Sequence, residues 1–209
     1  MNSNKIYNQF SEEYDQWFER HENLYKSELL ALQQAIPIGR KGLEVGVGTG
    51  RFAQALNIPY GVEPSRAMAN LARKRGIEVV EGMAENLPFE AATFDFVLMV
   101  TVDCFLSDIP KAFSEIYRVL KPMGAIIIGM INKTSPIGQQ YEKEKSHNKF
   151  YKEAHFHSVE EMTLLLINSG FINPQYWQTL ERFNAEGIEL PQSGFGKGSF
   201  VVIKALKNS

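Results

Sequence analysis

The stretch GLEVGVGTG at residues 42–50 decides how this chain folds. A short apolar run carries an acidic residue, Glu44, and then breaks into three glycines at alternate positions. A second acid, Glu63, follows nineteen residues later and closes another apolar stretch, 58–62. Glycines let a backbone turn sharply and approach a ligand closely, and an acid at the end of the second strand meets ribose hydroxyls. The spacing therefore predicts a βαβ unit that binds a nucleotide.

Composition places the chain among ordinary globular proteins. It has 209 residues, of which 44% are hydrophobic and 22% charged, so we expect a single domain over 1–209 with a sizeable core. The formal net charge of -2 argues against a dedicated nucleic-acid binder, which usually presents a basic face. The single cysteine, Cys104, excludes an internal disulfide and a cysteine-based metal cluster, and we expect no metal site.

Neither a targeting segment nor a membrane-inserting segment is predicted. The amino terminus lacks an apolar signal core, and a run of about eighteen apolar residues does not occur. We therefore expect a cytoplasmic protein without stable membrane insertion, present as a monomer or a homodimer.

The order of apolar runs predicts an α/β architecture. Residues 4–36 carry apolar residues at three- and four-residue steps, which predicts amino-terminal helices. From residue 42 onward, short apolar runs alternate with helical periodicity, as is typical of a parallel sheet covered by helices on both faces. The predicted strands are 43–45, 60–62, 78–80, 94–101, 125–131, 175–182 and 199–206. The predicted helices between them are 51–57, 65–75, 108–120 and 158–169.

Two segments flank the predicted nucleotide-binding core at 42–131 on its carboxy-terminal side. The stretch 133–157 is polar and charged, with scattered aromatic residues and histidines, and we expect either a lid over the site or a surface connector. Residues 158–209 predict a carboxy-terminal helix followed by a β-hairpin.

A dinucleotide is the first ligand to consider. Residues 48–53 match the pattern G-x-G-x-x-A, but a lone match of this kind is a weak signal. Gly46 already breaks the strand two residues earlier, and a pattern that starts there fails at Arg51. A carboxylate at Glu44 repels a pyrophosphate and suits a ligand that carries a positive charge. An NAD-dependent oxidoreductase is therefore kept only as an alternative.

A larger set of residues resembles the class I S-adenosylmethionine-dependent methyltransferases. Five blocks match that family in order and at its spacing. Each block alone is common, whereas the ordered set is specific to the family. The blocks are LEVGVGTG at 43–50, GVEPS at 61–65, EGMAENLPF at 81–89, FDFV at 94–97 and IYRVLKPMG at 116–124.

The resemblance implies a Rossmann-like fold with helices on both faces of a seven-stranded mixed sheet and an amino-terminal helical cap at 4–36. The implied strand order is 3-2-1-4-5-7-6, with the last strand antiparallel. Within the family the sequence is most similar to the branch that includes ubiquinone and menaquinone biosynthesis methyltransferases.

The resemblance also implies a cofactor and a reaction. The cofactor is S-adenosylmethionine and the product S-adenosylhomocysteine, with methyl transfer by in-line displacement. Methyltransferases that act on base amino groups typically carry Asn-Pro-Pro-Tyr where this chain has TVDC at 101–104, which favours a small-molecule acceptor over a nucleic acid. A non-catalytic S-adenosylmethionine-binding module is the other alternative.

The family pattern assigns cofactor contacts residue by residue. Glu44 corresponds to the acid that serves the ammonium group, and Glu63 to the acid that accepts both ribose hydroxyls; solvated strand-end acids are the alternative for both. Met68 and Leu87 correspond to the residues that sandwich the adenine, or else belong to the core. Glu85 is an adenine-edge contact or a helix-terminal charge. The remaining candidates are Gly46, Gly48, Gly50, Pro64, Ala84 and Thr101.

Acceptor contacts are expected from the amino-terminal helix, the end of the fourth strand and the insert at 133–157. We take Asp103 and Tyr14 as catalytic candidates, with Asp103 placed to hold or deprotonate an amine. A loop hydrogen bond is the alternative role for Asp103, and packing on the sheet is the alternative for the aromatic residues. The substrate candidates are Tyr7, Trp17, Phe105 and His155.

Overall fold

The computed structural model describes residues 3–181 and 187–209. The helices are α1 (Ser3–Gln9), α2 (Ser11–Arg20), α3 (Glu22–Ala35), α4 (Arg51–Ala55), α5 (Arg66–Lys74), α6 (Ile109–Val119), α7 (Pro136–Glu144) and α8 (Val159–Asn168). The strands are β1 (Gly42–Val45), β2 (Tyr60–Val62), β3 (Glu78–Val80), β4 (Phe94–Val100), β5 (Leu120–Ile131), β6 (Phe171–Thr179), β7 (Gln192–Ser193) and β8 (Phe200–Lys207).

The strands form one mixed sheet in the order β3-β2-β1-β4-β5-β8-β6-β7. Strands β1 to β5 pair in parallel, whereas β8 is antiparallel to both of its neighbours. The Rossmann-like class and the antiparallel last strand are confirmed. The prediction of seven strands was wrong, because Gln192 and Ser193 pair with Gln178 and Trp177 and add an eighth strand at the edge. A strand of two residues is too short to show the alternating apolar pattern by which strands are predicted from sequence.

The central strands of the sheet are buried on both faces, because successive side chains point to opposite faces and both sets are apolar. On β5, Ile126 and Ile128 pack in one core cluster and Ile127 packs in the other. Helices α6 and α8 cover the first of these faces, and α3, α4 and α5 cover the second. The glycine-rich turn after β1 is therefore held between two packed layers.

Local signals place several helix starts where the sequence predicts them. Ser158 and Glu161 form a complete capping box at the start of α8, with the Ser158 hydroxyl 3.1 Å from the Glu161 amide. Asp108 caps α6 by accepting from the Lys111 amide at 3.0 Å.

The amino-terminal helical region is divided into three helices. The backbone leaves helical geometry at Phe10 and again at His21. At the second break, the His21 ring stacks on Trp17, and its Nδ1 lies 2.9 Å from the Trp17 carbonyl oxygen. A side chain that bonds the preceding turn competes with the helix hydrogen bonds, so the axis can bend there.

The insert at 133–157 is structured in part. It contains α7 and a 3-10 turn at Lys145–His147, and its far end is tied back where the Lys133 amide donates to the His157 carbonyl at 3.0 Å. Within the described residues, every helix is too short or too polar to cross a membrane.

Candidate active site

The sheet changes direction between β1 and β4. From β1 the chain runs outward through β2 to β3 and then returns to β4 on the other side. In open α/β sheets, ligands bind beyond the carboxyl ends of the strands at such a switch point. A cavity of about 130 Å³, here called the first cavity, lies at this position.

Eleven of the residues proposed from sequence line the first cavity. They come from α1, α2 and α5, from the ends of β1 and β2, and from the loops after β3 and β4. The eleven are Tyr7, Tyr14, Gly46, Gly48, Glu63, Pro64, Met68, Ala84, Glu85, Thr101 and Phe105. Six others do not line it: Trp17, Glu44, Gly50, Leu87, Asp103 and His155.

Glu63 is the best-defined polar group of the first cavity. Its two carboxylate oxygens accept from the backbone N–H groups of Gly48 and Ser65, each at 2.9 Å. Burial raises the pKa of Glu63 to about 7, against the opposing effect of these two hydrogen bonds. A carboxylate has about four lone-pair positions, so two acceptor positions are left for hydroxyl groups of a ligand.

The three glycines of the turn have different roles. A side chain at Gly46 would collide with Val102, and one at Gly50 would collide with Ala72 of α5, so both glycines permit close packing. Gly48 has a φ of +55° and would place a Cβ no closer than 3.8 Å to any atom. Gly46 and Gly48 both line the first cavity, and the space beside Gly48 is open to a ligand.

Glu44 lies inside the protein rather than on the cavity wall. Its side chain is buried, and its Oε2 atom has no hydrogen-bond partner among the described residues. Burial raises the pKa of Glu44 well above its usual range, although the Ala53 amide opposes this and Glu63 adds to it. An unpaired buried carboxylate is costly, so its retention beside the turn is consistent with a cationic ligand group.

The far wall of the first cavity is apolar. Met68 and Ala84 line it and are buried, whereas Leu87 belongs to the core cluster behind them. Glu85 also borders the cavity, but its Oε1 atom accepts from the amide and hydroxyl of Ser107 at 3.0 and 2.8 Å. Glu85 therefore fastens the loop after β3 to the loop that leads into α6.

The candidates beyond β4 are separated by the fold. Phe105 lines the first cavity. Asp103 is buried, and its Oδ2 atom lies 3.6 Å from Nδ1 of His157, which is beyond hydrogen-bond distance, so its role stays a prediction. The side chain of His155 is exposed, and its backbone N–H donates to the Cys104 carbonyl at 2.8 Å.

Aromatic residues join the amino-terminal helices to the insert above the first cavity. The ring of Tyr7 makes edge contacts with Tyr14 and Phe105 and stacks on Phe150, with centroids 5.5 to 5.8 Å apart. The Tyr7 hydroxyl donates to the Phe150 carbonyl at 3.3 Å. These contacts form a layer of packed aromatic rings that links α1 and α2 to the insert.

A second cavity of about 180 Å³ lies on the other side of this layer. It shares Tyr14 and Thr101 with the first cavity, so these two residues form a common wall. The substrate candidate Trp17 lines this second cavity instead of the first. Its other aromatic residues are Phe18, Tyr141, Phe150 and Tyr151.

Thr101 holds a strained backbone at the common wall. Its φ is +52°, which is a genuine outlier for a β-branched residue, and its amide donates to the Gly129 carbonyl at 2.7 Å. Strain of this kind persists where the surrounding structure over-determines it, and it clusters at functional sites.

Thr101→Gly is expected to be more stable than Thr101→Ala by about 1 kcal/mol, because only glycine removes the Cβ that strains this backbone. Both variants lose the hydroxyl, so the difference between their free energies of unfolding reports the backbone strain. Urea unfolding measures the free energy of unfolding of each variant. An alanine variant as stable as the glycine variant would show that the position is unstrained.

Asp15 is a residue of this region whose role sequence reasoning missed. Its carboxylate contacts Arg51 at 2.6 Å and Arg75 at 2.8 Å, and Arg75 also donates to the Thr49 carbonyl of the glycine-rich turn. Burial opposes ionisation of Asp15, but hydrogen bonds from Arg51 and Arg75 outweigh it and lower the pKa to about 2. Asp15 thus ties α2 to the turn and to α5.

Comparison with known proteins agrees with the geometry. A family model described as a methyltransferase domain matches residues 43–128. An uncharacterized protein of Methanocaldococcus jannaschii is 46% identical over 97% of this chain and 98% of its own length. A crystal structure from Thermotoga maritima, described as an S-adenosylmethionine-dependent methyltransferase and possible histamine N-methyltransferase, is 45% identical. It superimposes with a TM-score of 0.95 over 98% of this chain and 99% of that chain.

The chain therefore belongs to the family of S-adenosylmethionine-dependent methyltransferases. It is an enzyme, and its cofactor is S-adenosylmethionine. A Haemonchus contortus phosphoethanolamine N-methyltransferase, solved with S-adenosylmethionine, shares the fold at 18% identity and a TM-score of 0.65, over 88% of this chain and 53% of its own. The branch within the family stays a prediction.

The residues present fit this cofactor. Two free acceptor positions on Glu63 suit ribose hydroxyls, the open approach to Gly48 suits a ligand against the backbone, and the unpaired oxygen of Glu44 suits an ammonium group nearby. Among residues 3–181 and 187–209, no group of three metal-ligating side chains comes together.

Proposed function

We propose that this enzyme transfers the methyl group of S-adenosylmethionine to a small molecule bound in the second cavity. The observation that supports the proposal is the common wall: Tyr14 and Thr101 border both cavities. A donor in the first cavity and an acceptor in the second then meet at these two residues. Such positioning supplies much of the rate of a two-substrate displacement.

The proposal gives each group a defined task. Glu63 holds the ribose hydroxyls and Gly48 offers its backbone to the same ligand. Glu44 attracts the ammonium group, while Met68 packs against the adenine. Tyr14, at the common wall, is the catalytic candidate in contact with both ligands, and Asp103 stays a second catalytic candidate behind the cavity wall.

The transfer itself needs alignment more than acid–base chemistry. S-adenosylmethionine supplies a methyl group on a positively charged sulfur. The acceptor's lone pair forms a bond to the methyl carbon while the carbon–sulfur bond breaks and its electrons stay on sulfur, leaving S-adenosylhomocysteine. The aromatic layer of Tyr7, Tyr14 and Phe150 excludes water, which is a competing nucleophile.

The size and enclosure of the second cavity support a small acceptor rather than a polymer. The description of the Thermotoga relative as a possible histamine N-methyltransferase points to a nitrogen nucleophile of this size. The proposed enzyme is a single cytoplasmic domain. Its residues 133–157 act as a lid over the site, and the helices at 4–36 act as a cap. Neither an NAD-dependent oxidoreductase nor a non-catalytic module is favoured by any contact described above.

Incubation of the protein with methyl-labelled S-adenosylmethionine and a fractionated metabolite pool tests this function. We expect one fraction to give S-adenosylhomocysteine and a labelled small molecule in equal amounts. Boiled protein and omission of the pool are the controls. Label that appears only in nucleic acid or protein supplied to the same enzyme would contradict a small-molecule acceptor.

A further inference from the structure

The second cavity contains one carboxylate that nothing in the described structure neutralises. Glu28 projects from α3 into this cavity, and its residue is only 6% exposed. Within the part of the chain that the structure describes, neither a hydrogen bond nor an ion pair reaches its oxygens. Burying an acid without a partner is costly, so this position calls for a reason beyond packing.

The other charged groups of the second cavity are already engaged. Glu13 pairs with Lys149 at 2.5 Å, and the guanidinium of Arg20 donates to backbone carbonyls of Glu13 and Gln16 at 3.3 and 3.4 Å. Both of these residues lie at the solvent side of α2. Glu28 is thus the one acidic group among the described residues lining this cavity that has no hydrogen-bond or ion-pair partner, and its carboxylate form has no counter-ion there.

Aromatic side chains surround the same space. Tyr14, Trp17, Phe18, Tyr141, Phe150 and Tyr151 line it together with Glu28. Aromatic faces attract cations, most strongly where the cation is removed from water. Burial raises the pKa of Glu28 to about 8. Burial is also the main reason that the pKa values of Tyr14 and Tyr141 are raised, and Glu28 adds to both shifts. A bound cation would stabilise the ionised form of Glu28.

We propose that the second cavity binds an acceptor with a protonated amine, whose ammonium group pairs with Glu28 and whose apolar body packs against the aromatic walls. The inference rests on the proposed methyl transfer and names its acceptor class. Before transfer the ammonium group passes one proton to the Glu28 carboxylate, which frees the nitrogen lone pair to attack the methyl carbon. Tyr14 and Thr101 border both cavities and so place that nitrogen next to the methyl donor.

Calorimetry on the protein saturated with S-adenosylhomocysteine tests the site without turnover. The probe is 2-phenylethylamine, and its uncharged match is 2-phenylethanol. We expect the wild-type protein to bind the amine at least about tenfold more tightly than the alcohol. Glu28→Gln should remove this preference while leaving affinity for the alcohol and for S-adenosylhomocysteine unchanged.

Glu13→Gln is the matched control, because it removes a carboxylate of the same cavity that already has a cationic partner. Its amine affinity should stay within about twofold of wild type. Equal binding of amine and alcohol by the wild-type protein would overturn the proposal, and this comparison does not depend on any variant folding. An unchanged amine preference in Glu28→Gln would overturn it as well.

The experiment separates this inference from the proposed function. If S-adenosylhomocysteine binds and the amine does not, the acceptor class is wrong while the cofactor assignment stands. If S-adenosylhomocysteine itself fails to bind to folded wild-type protein, the proposed function fails first.

Discussion

Replacing Glu63 with glutamine is expected to weaken the binding of S-adenosylhomocysteine by about 10- to 100-fold. The carboxylate accepts from Gly48 and Ser65 and has two acceptor positions left for the ribose. Glutamine keeps the shape but turns one acceptor into a donor, so one backbone N–H loses its partner and one ribose bond is lost. Isothermal calorimetry of wild type and variant measures the change directly.

Glu81→Gln is the control for Glu63→Gln. Glu81 is a half-exposed acid near the end of β3, and its contacts are long ion pairs to Arg66 and Arg73 at 3.9 and 3.8 Å. Loss of this charge should leave the affinity within about twofold, because exposed ion pairs contribute little. Equal losses in both variants would mean that general electrostatics, rather than the ribose contact, governs binding.

The second large effect is expected at Asp15. Asp15→Asn should lower the free energy of unfolding by about 2 kcal/mol, because it leaves Arg51 and Arg75, both largely buried, without their shared counter-ion. The loss should also loosen the glycine-rich turn, since Arg75 holds the Thr49 carbonyl. Urea unfolding followed by circular dichroism measures the change.

Glu19→Gln is the control for Asp15→Asn. Glu19 also pairs with Arg51, at 2.8 Å, but its side chain is 67% exposed. Its loss should cost about 0.5 kcal/mol or less. An Asp15 variant no less stable than the Glu19 variant would contradict the central role assigned to Asp15.

The pH dependence of stability gives Asp15 a distinct signature. The folded pKa of about 2 lies below the ordinary value of 3.8, so its ion pairs contribute fully above about pH 4. That contribution is lost as pH falls towards 2 and Asp15 becomes protonated. The difference in stability between wild type and Asp15→Asn should therefore be constant near neutral pH and shrink between about pH 4 and pH 2.

The cofactor half of the site was predictable because its determinants are local. The run GLEVGVGTG at 42–50 and the acid Glu63 predict a strand, a turn and a polar group within one βαβ unit, and the structure brings Gly48 and Glu63 together at the first cavity. The ribose contact of Glu63 stays a proposal. The sequence alone did not show that the surroundings of Gly48 differ from those of Gly46 and Gly50. That difference depends on Val102 and Ala72, which contact Gly46 and Gly50 from distant parts of the sequence.

The acceptor half was less accessible to sequence reasoning because its residues come from distant segments. Glu28 follows no motif and lies in an ordinary helical pattern, so only the fold reveals that it is buried without a partner. Trp17 and Tyr14 were both predicted to lie near the acceptor. The sequence pattern could not show that Trp17 lines the second cavity whereas Tyr14 lines both. His155 was predicted to contact the substrate, but its side chain is exposed. It is the backbone N–H of His155 that bonds to the Cys104 carbonyl.

A crystal structure of the protein with S-adenosylhomocysteine tests the central claim most directly, namely that the two cavities hold donor and acceptor and meet at Tyr14 and Thr101. The account predicts the ribose on Glu63, the adenine beside Met68 and the sulfur directed at the common wall, facing the second cavity. A sulfur directed away from Tyr14 and Thr101, or a nucleoside bound outside the first cavity, would contradict it.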